Sequence, residues 1–205
     1  MTNISKVTAY SIIRNKDGGK QIMKYYDSND IQTPLLFGQD LLSLINTHRK
    51  LSQPIVILCI GTDRATGDCL GPLLGSYLVS QRTNALILGS LVEPVHAVNL
   101  DSILEYIYNT YEDPFIIAID ACLGTKEHIG YITLETGGLY PGESTNKSLP
   151  CVGNIAITGI VNRAVSSNFF VLQSTRLHTV ITLSNVISKG ICFALEKMST
   201  LPKVL

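Results

Sequence analysis

Apolar and polar positions follow one another along this chain in blocks of strand and helix length. The run from Ile55 to Ile60 is continuously apolar and is bounded by Pro54 and Gly61, which predicts a strand buried on both faces. Leu86 to Leu91 and Phe115 to Ile119 predict two more strands, the second of them stopped by Asp120. Tyr131 to Leu134 alternates with polar residues and predicts an edge strand. Phe169 to Leu172 predicts a fifth. Between them lie helical periods. Leu35, Leu36, Leu41, Leu42, Leu44 and Ile45 give a helix over 34–50 that ends in His48-Arg49-Lys50, cations suited to the negative end of the helix dipole. A helix is predicted from Asp68 to Gln81, with Asp68 at its cap or first turn. Leu100, Ile103, Leu104 and Ile107 fall at helical spacing within 99–108. Further helices are predicted over 154–164 and 177–198. Residues 1–28 show little period and read as an irregular N-terminal arm, with at most a short strand or helix.

Strands alternating with helices imply an α/β fold: a single domain, 1–205, with three layers and a mostly parallel, twisted five-stranded sheet sandwiched by helices. In such sheets, ligands bind beyond the carboxyl ends of the strands, at a switch in strand order. Three polar clusters fall there: Gly61 to Asp68, Glu93 to His96, and Asp120 to Cys122.

Composition narrows the classes. Of 205 residues, 45% are hydrophobic and 16% charged, the balance of a compact chain able to bury a core. Lys and Arg total 16 and so do Asp and Glu, and no basic run occurs, so nothing points to nucleic acid or an acidic membrane as partner. No stretch approaches the roughly 20 apolar residues of a membrane span, and the N-terminus lacks an apolar signal core. The five cysteines form no CxxC pair, which suits a reducing, cytoplasmic setting.

The segment 60–72, IGTDRATGDCLGP, concentrates the chemistry. Its glycines permit a tight exit from a strand, but GK[ST] and GxGxxG are absent, and Asp63 and Asp68 would repel a phosphate. Asp68 alone would read as an N-cap. Asp120 at the end of a neighbouring strand changes that reading, because two nearby carboxylates can share one proton, one acting as base on a water and the other as acid toward a leaving group. The pair could equally hold a divalent metal, although no cofactor is expected from the sequence. His96 follows a central strand on the same side, and Glu93 precedes it by three residues; His48, His128 and His178 lie in helical or turn patterns. No HExxH or Cys/His cluster is present. Cys122 beside His96 suggests a nucleophile, but surrounding carboxylates disfavour a thiolate. A serine nucleophile lacks its G-x-S-x-G elbow. The loop 137–150, with Lys147, could border the crevice, as could Arg176.

Four pieces in this order, GTDRATGDCLGPLLG, EPVHAVNL, AIDACLG and LPCVGNIAITGIVN, resemble the YyaC family of spore proteins. The likeness runs from about Pro54 to Met198. That family is similar in fold to the germination protease of endospores and to the hydrogenase maturation endopeptidases (HybD-like, of the phosphorylase/hydrolase-like class). The resemblance implies that Asp68 in GDCLGP and Asp120 in IDA stand where those enzymes carry their two acids. The histidine that the maturation enzymes place after a later strand has no counterpart in 150–156, and His96 does not inherit its role. The chain is also shorter than a germination protease, with no visible propeptide. The resemblance thus implies a cytoplasmic hydrolase of the sporulating cell or spore. It would cleave peptide bonds of a peptide or protein substrate, such as spore proteins, with Asp68 and Asp120 catalytic and Asp63 and His96 auxiliary. The alternative is a non-catalytic module that binds a peptide or metal in the same acidic crevice.

Overall fold

The structure is a computed structural model and describes residues 8–14, 20–81, 83–141, 150–165 and 168–200. Its centre is a seven-stranded mixed sheet. The strands are β1 (Thr8–Arg14), β2 (Lys20–Asp27), β3 (Ile55–Cys59), β4 (Leu86–Leu88), β5 (Phe115–Gly124), β6 (Tyr131–Thr136) and β7 (Ile155–Arg163). They lie in the order β1-β2-β6-β7-β5-β3-β4. β4, β3, β5 and β7 run parallel, and β6, β2 and β1 continue the sheet in antiparallel fashion. The α/β class and the flanking helices hold; five mostly parallel strands do not.

Each difference has a local cause. Residues 155–163 form a central strand, not a helix. Ile155, Ile157, Thr158, Ile160 and Val161 are β-branched, lose side-chain freedom in a helix, and pack well on a pleated surface. Residues 168–173 are a short helix, α4 (Asn168–Gln173), not a strand; four consecutive apolar residues carry no period that separates the two. β6 is not an edge, because β2 pairs with its outer side. The irregular arm is a hairpin as far as it is described, and β2 earns its place through Tyr26, which is fully buried. β5 does not stop at Asp120 but continues to Gly124, with a register shift after Cys122. Nor does Asp68 open a helix directly. It sits in a 3₁₀ turn, Thr66–Cys69, that leads into α2 (Leu70–Ser80).

The remaining helices are α1 (Thr33–His48), α3 (Leu100–Thr110) and α5 (Leu177–Thr200). Alternation along the buried strands sorts the core into two layers. Ile57, Cys59, Ile117, Ile119, Ile155 and Ile157 face α1, α2 and α5. Val56, Leu58, Ile116, Ala118 and Ala156 face Leu100 and Ile107 of α3. By length and composition alone α5 is apolar enough to cross a membrane, contrary to the sequence expectation; mean hydropathy reaches 1.3. Half of that stretch is buried within the fold, where Val180, Leu183, Ile187 and Ile191 pack into the first core layer.

One polar clasp ties β2 to α1. The Tyr26 hydroxyl donates to Asp40 Oδ2 at 2.7 Å, and Lys24 Nζ pairs with Asp40 Oδ1 at 2.8 Å. Burial, then the bond to Asp40, pushes the phenol far above its ordinary range. Tyr26→Phe is expected to lower stability by about 1–3 kcal/mol, the size of a hydrogen bond to a charged group, as read from a urea midpoint.

Candidate functional site

Beyond Cys59 the backbone of β3 stays in the sheet for one more residue. The Ile60 N–H donates to the Ile119 carbonyl at 2.7 Å, and Ile60 bridges Val95 in parallel. Gly61 then turns with φ 141°, and its N–H donates to the Val95 carbonyl at 2.8 Å. A side chain at Gly61 would strike the Asp68 carbonyl, so glycine is required for the loop to fold back. The loop closes where the Thr62 N–H donates to that carbonyl at 3.0 Å and the Asp68 N–H donates to Ala65 at 3.0 Å. The 3₁₀ turn packs on β5, α4 and α5. Gly67 lies against Leu172 and Thr175, so α4 buttresses the turn from behind.

This arrangement draws the Asp68 carboxyl largely out of water. Burial pushes it above the usual carboxylate range, against the opposing pull of the Thr62 N–H and of nearby His96. The same surroundings act on Cys69, whose thiol is pushed up by burial and by the charges of Asp63 and Asp68.

Asp120 is only 8% exposed. Its Oδ1 accepts the Ala121 N–H at 2.8 Å, which fixes the carboxylate rotamer. Register places it beside Thr158 of β7, on the sheet face that carries Ala118 and Ala156 toward α3. Thr158 is in turn opposite Thr133 of β6, and the two hydroxyls are bonded at 2.7 Å. Cys122 donates its Sγ–H to Thr158 Oγ1 at 3.2 Å. A row of small polar groups therefore crosses β6, β7 and β5 and ends at Asp120. Asp68 and Asp120 come to the same rim of the sheet, one on the turn that follows β3 and the other on β5, which pairs with β3.

The matching family, described as "Protein of unknown function (DUF1256)", covers residues 23–190 of the chain. The chain belongs to that family. It is 40% identical over 182 residues to "Uncharacterized protein YyaC" of Bacillus subtilis (strain 168), spanning 86% of this chain and 88% of that relative. The likeness to YyaC read from the motifs is borne out.

In this DUF1256 chain the other residues singled out from the sequence take different places. His96 stands beside Val95 at the same rim and acts electrostatically on Asp68. Asp63 is exposed on the loop, and Glu93 is exposed farther along the segment after β4, where its N–H donates to Ser90 Oγ. Cys122 is half-buried with its thiol proton directed at Thr158. Arg176 is exposed between α4 and α5. His48 and His178 are exposed at helix ends, and His128 packs between Tyr25 and Tyr131, tilted to the first ring and edge-on to the second. Lys147 and most of the loop 137–150 lie outside the described residues. Asp68, Asp120 and His96 offer oxygen and nitrogen donors, yet among the described residues no group of three or more His, Cys, Asp or Glu is placed to hold a metal ion. Sequence reasoning missed Thr158 and Thr133. The signal was there, in the threonine that alternates with isoleucine in 155–160, but a helical reading of that run hid which face it shares.

Proposed function

We propose that this chain hydrolyses peptide bonds, with Asp68 and Asp120 dividing the acid and base roles. The observation that carries this reading is the Asp68 carboxyl, half-buried and pushed upward at the strand ends while Asp120 is buried on the adjoining strand. A carboxyl held protonated closer to neutral pH suits proton donation to a leaving amine. That leaves Asp120, oriented by the Ala121 N–H, to draw a proton from the attacking water. His96 and Asp63 would be auxiliary, the first within electrostatic reach of Asp68 and the second at the mouth of the loop. The implied kinship with the germination protease and the HybD-like maturation enzymes supports the same two positions. Substrates would be peptides or proteins of the spore, and the chain would work in the cytoplasm of the sporulating cell or in the spore.

The test is incubation of the wild-type chain and Asp120→Asn with a peptide library and with acid-soluble spore protein extracts, followed by mass spectrometry of new termini. New termini are expected with the wild type and absent with the variant. A wild type that produces none, with or without added divalent metal, overturns the hydrolase. Retention of intact peptides by both proteins would then assign the same rim to a binding module.

A further inference from the structure

The turn from Pro94 to Asn99 is fastened more tightly than a connection requires. Asn99 occupies the N-cap of α3 but makes no side-chain capping bond there. Its side chain turns back instead. Oδ1 accepts the His96 N–H at 2.8 Å, and Nδ2 donates to the Pro94 carbonyl at 3.0 Å. The His96 carbonyl in turn accepts the N–H groups of Asn99 and Leu100, each at 3.0 Å. Pinned in this way, the His96 ring meets the next donor along the chain: the Val98 N–H points at Nδ1, at 3.3 Å.

A backbone N–H has only a proton to offer, so Nδ1 must present its lone pair. In an uncharged imidazole the remaining proton then sits on Nε2. Nε2 is the ring atom farthest from the backbone, and the ring lies within electrostatic reach of Asp68 without forming a direct ion pair with it. From Val98, Asn99 and this placement, we infer that His96 is fixed as the Nε2–H tautomer, a hydrogen-bond donor at the rim beside Asp68, and that Asn99 is the positioning residue that sets it.

This deepens the hydrolase reading and rests on it for its chemical meaning. A preset N–H beside Asp68 suits a carbonyl oxygen on which negative charge develops during attack. It leaves proton transfer to the aspartates and gives His96 no role as base. The substrate group recognised is a peptide carbonyl.

Nitrogen-15 NMR of the uniformly labelled chain tests it, with the His96 ring assigned by its loss in His96→Gln. At a pH where the ring is neutral, the wild type is expected to show a pyrrole-type Nε2 and a pyridine-type Nδ1. Asn99→Ala should move both shifts toward the averaged values of exchanging tautomers, with amide signals far from the turn unchanged. Asn99→Asp, which keeps the oxygen acceptor, should restore the wild-type pattern. A pyrrole-type Nδ1 in the wild type overturns the tautomer, and unchanged shifts in Asn99→Ala overturn the role of Asn99. The readout needs no turnover. A wild type that shows the Nε2–H form yet cleaves no peptide therefore defeats the hydrolase alone.

Discussion

Asp68→Asn is expected to lower peptide cleavage by about 10²–10⁴-fold, the size of a positioned acid–base group, while making the folded chain more stable at pH 7. The two effects have one origin. Burial raises the Asp68 carboxyl in the folded state, so the folded chain binds that proton more tightly than the unfolded chain does. Below the ordinary aspartate range the group is protonated in both states and costs nothing. As the pH rises from there through the raised folded value, the unfolded chain ionises first and stability falls. Above the folded value the loss is complete and constant. Asparagine has no proton to release and can still accept the Thr62 N–H. Its gain should therefore be near zero at acid pH, grow across that window, and become constant only above the raised folded value. Its size should be about 0.5–2 kcal/mol, typical when a functional group held at a cost is removed. Urea midpoints of the two proteins at pH 4 and pH 7 measure it. A variant less stable than the wild type at pH 7 would mean that the carboxylate is a structural asset, and the acid role would lose its physical basis.

Gly75→Ala carries the largest expected effect on the fold. Gly71 and Gly75 share one face of α2, and that face lies on backbone rather than on side chains. A methyl group at Gly75 would run into the Gly89 carbonyl, and one at Gly71 into the backbone of Ile60. Gly89, with φ 89°, is itself pressed against the Cys59 carbonyl. Backbone carbonyls at the ends of β3 and β4 cannot rotate away as a side chain can. Alanine should gain about 1 kcal/mol from helix propensity and lose more to overpacking, for a net loss of about 3 kcal/mol or more. Gly130→Ala is the control. Unlike Gly75 it sits at positive φ, and the nearest atoms to its added methyl are 3.6 and 3.8 Å away, so only backbone strain remains, about 1–2 kcal/mol. Denaturant titration of both variants checks the ranking, and an equal loss in the two would show that close approach of α2 is not what the glycine provides. The consequence reaches the site, since α2 follows directly from the turn that holds Asp68.

How far the site could be read in the sequence depended on the kind of signal each residue carried. Asp120 stood out because it interrupts a run whose apolar character has a single explanation, burial, and Asp68 because it opens the element after the polar loop that leaves the neighbouring strand. Thr158 and Asn99 did not, because a hydroxyl or amide in a short segment announces nothing until its face and neighbours are known. His96 was noticed, but its hydrogen bonding was invisible, since the Val98 N–H that sets its tautomer comes from the turn geometry and not from residue type.

By itself the sequence determined the buried strands at 55–59 and 115–119, the helices α1, α3 and α5, and the two acids on the segments that follow those apolar runs, because burial and helical period are written in local patterns of apolar residues. Only the tertiary structure decided that 155–163 is a strand, that the N-terminal arm extends the sheet, and that Asp120 lies within β5 beside Thr158 rather than at its end. Those outcomes depend on hydrogen bonds between segments far apart in the chain. A strand acquires its partners, its register and the face of each side chain only when the neighbouring strands are in place.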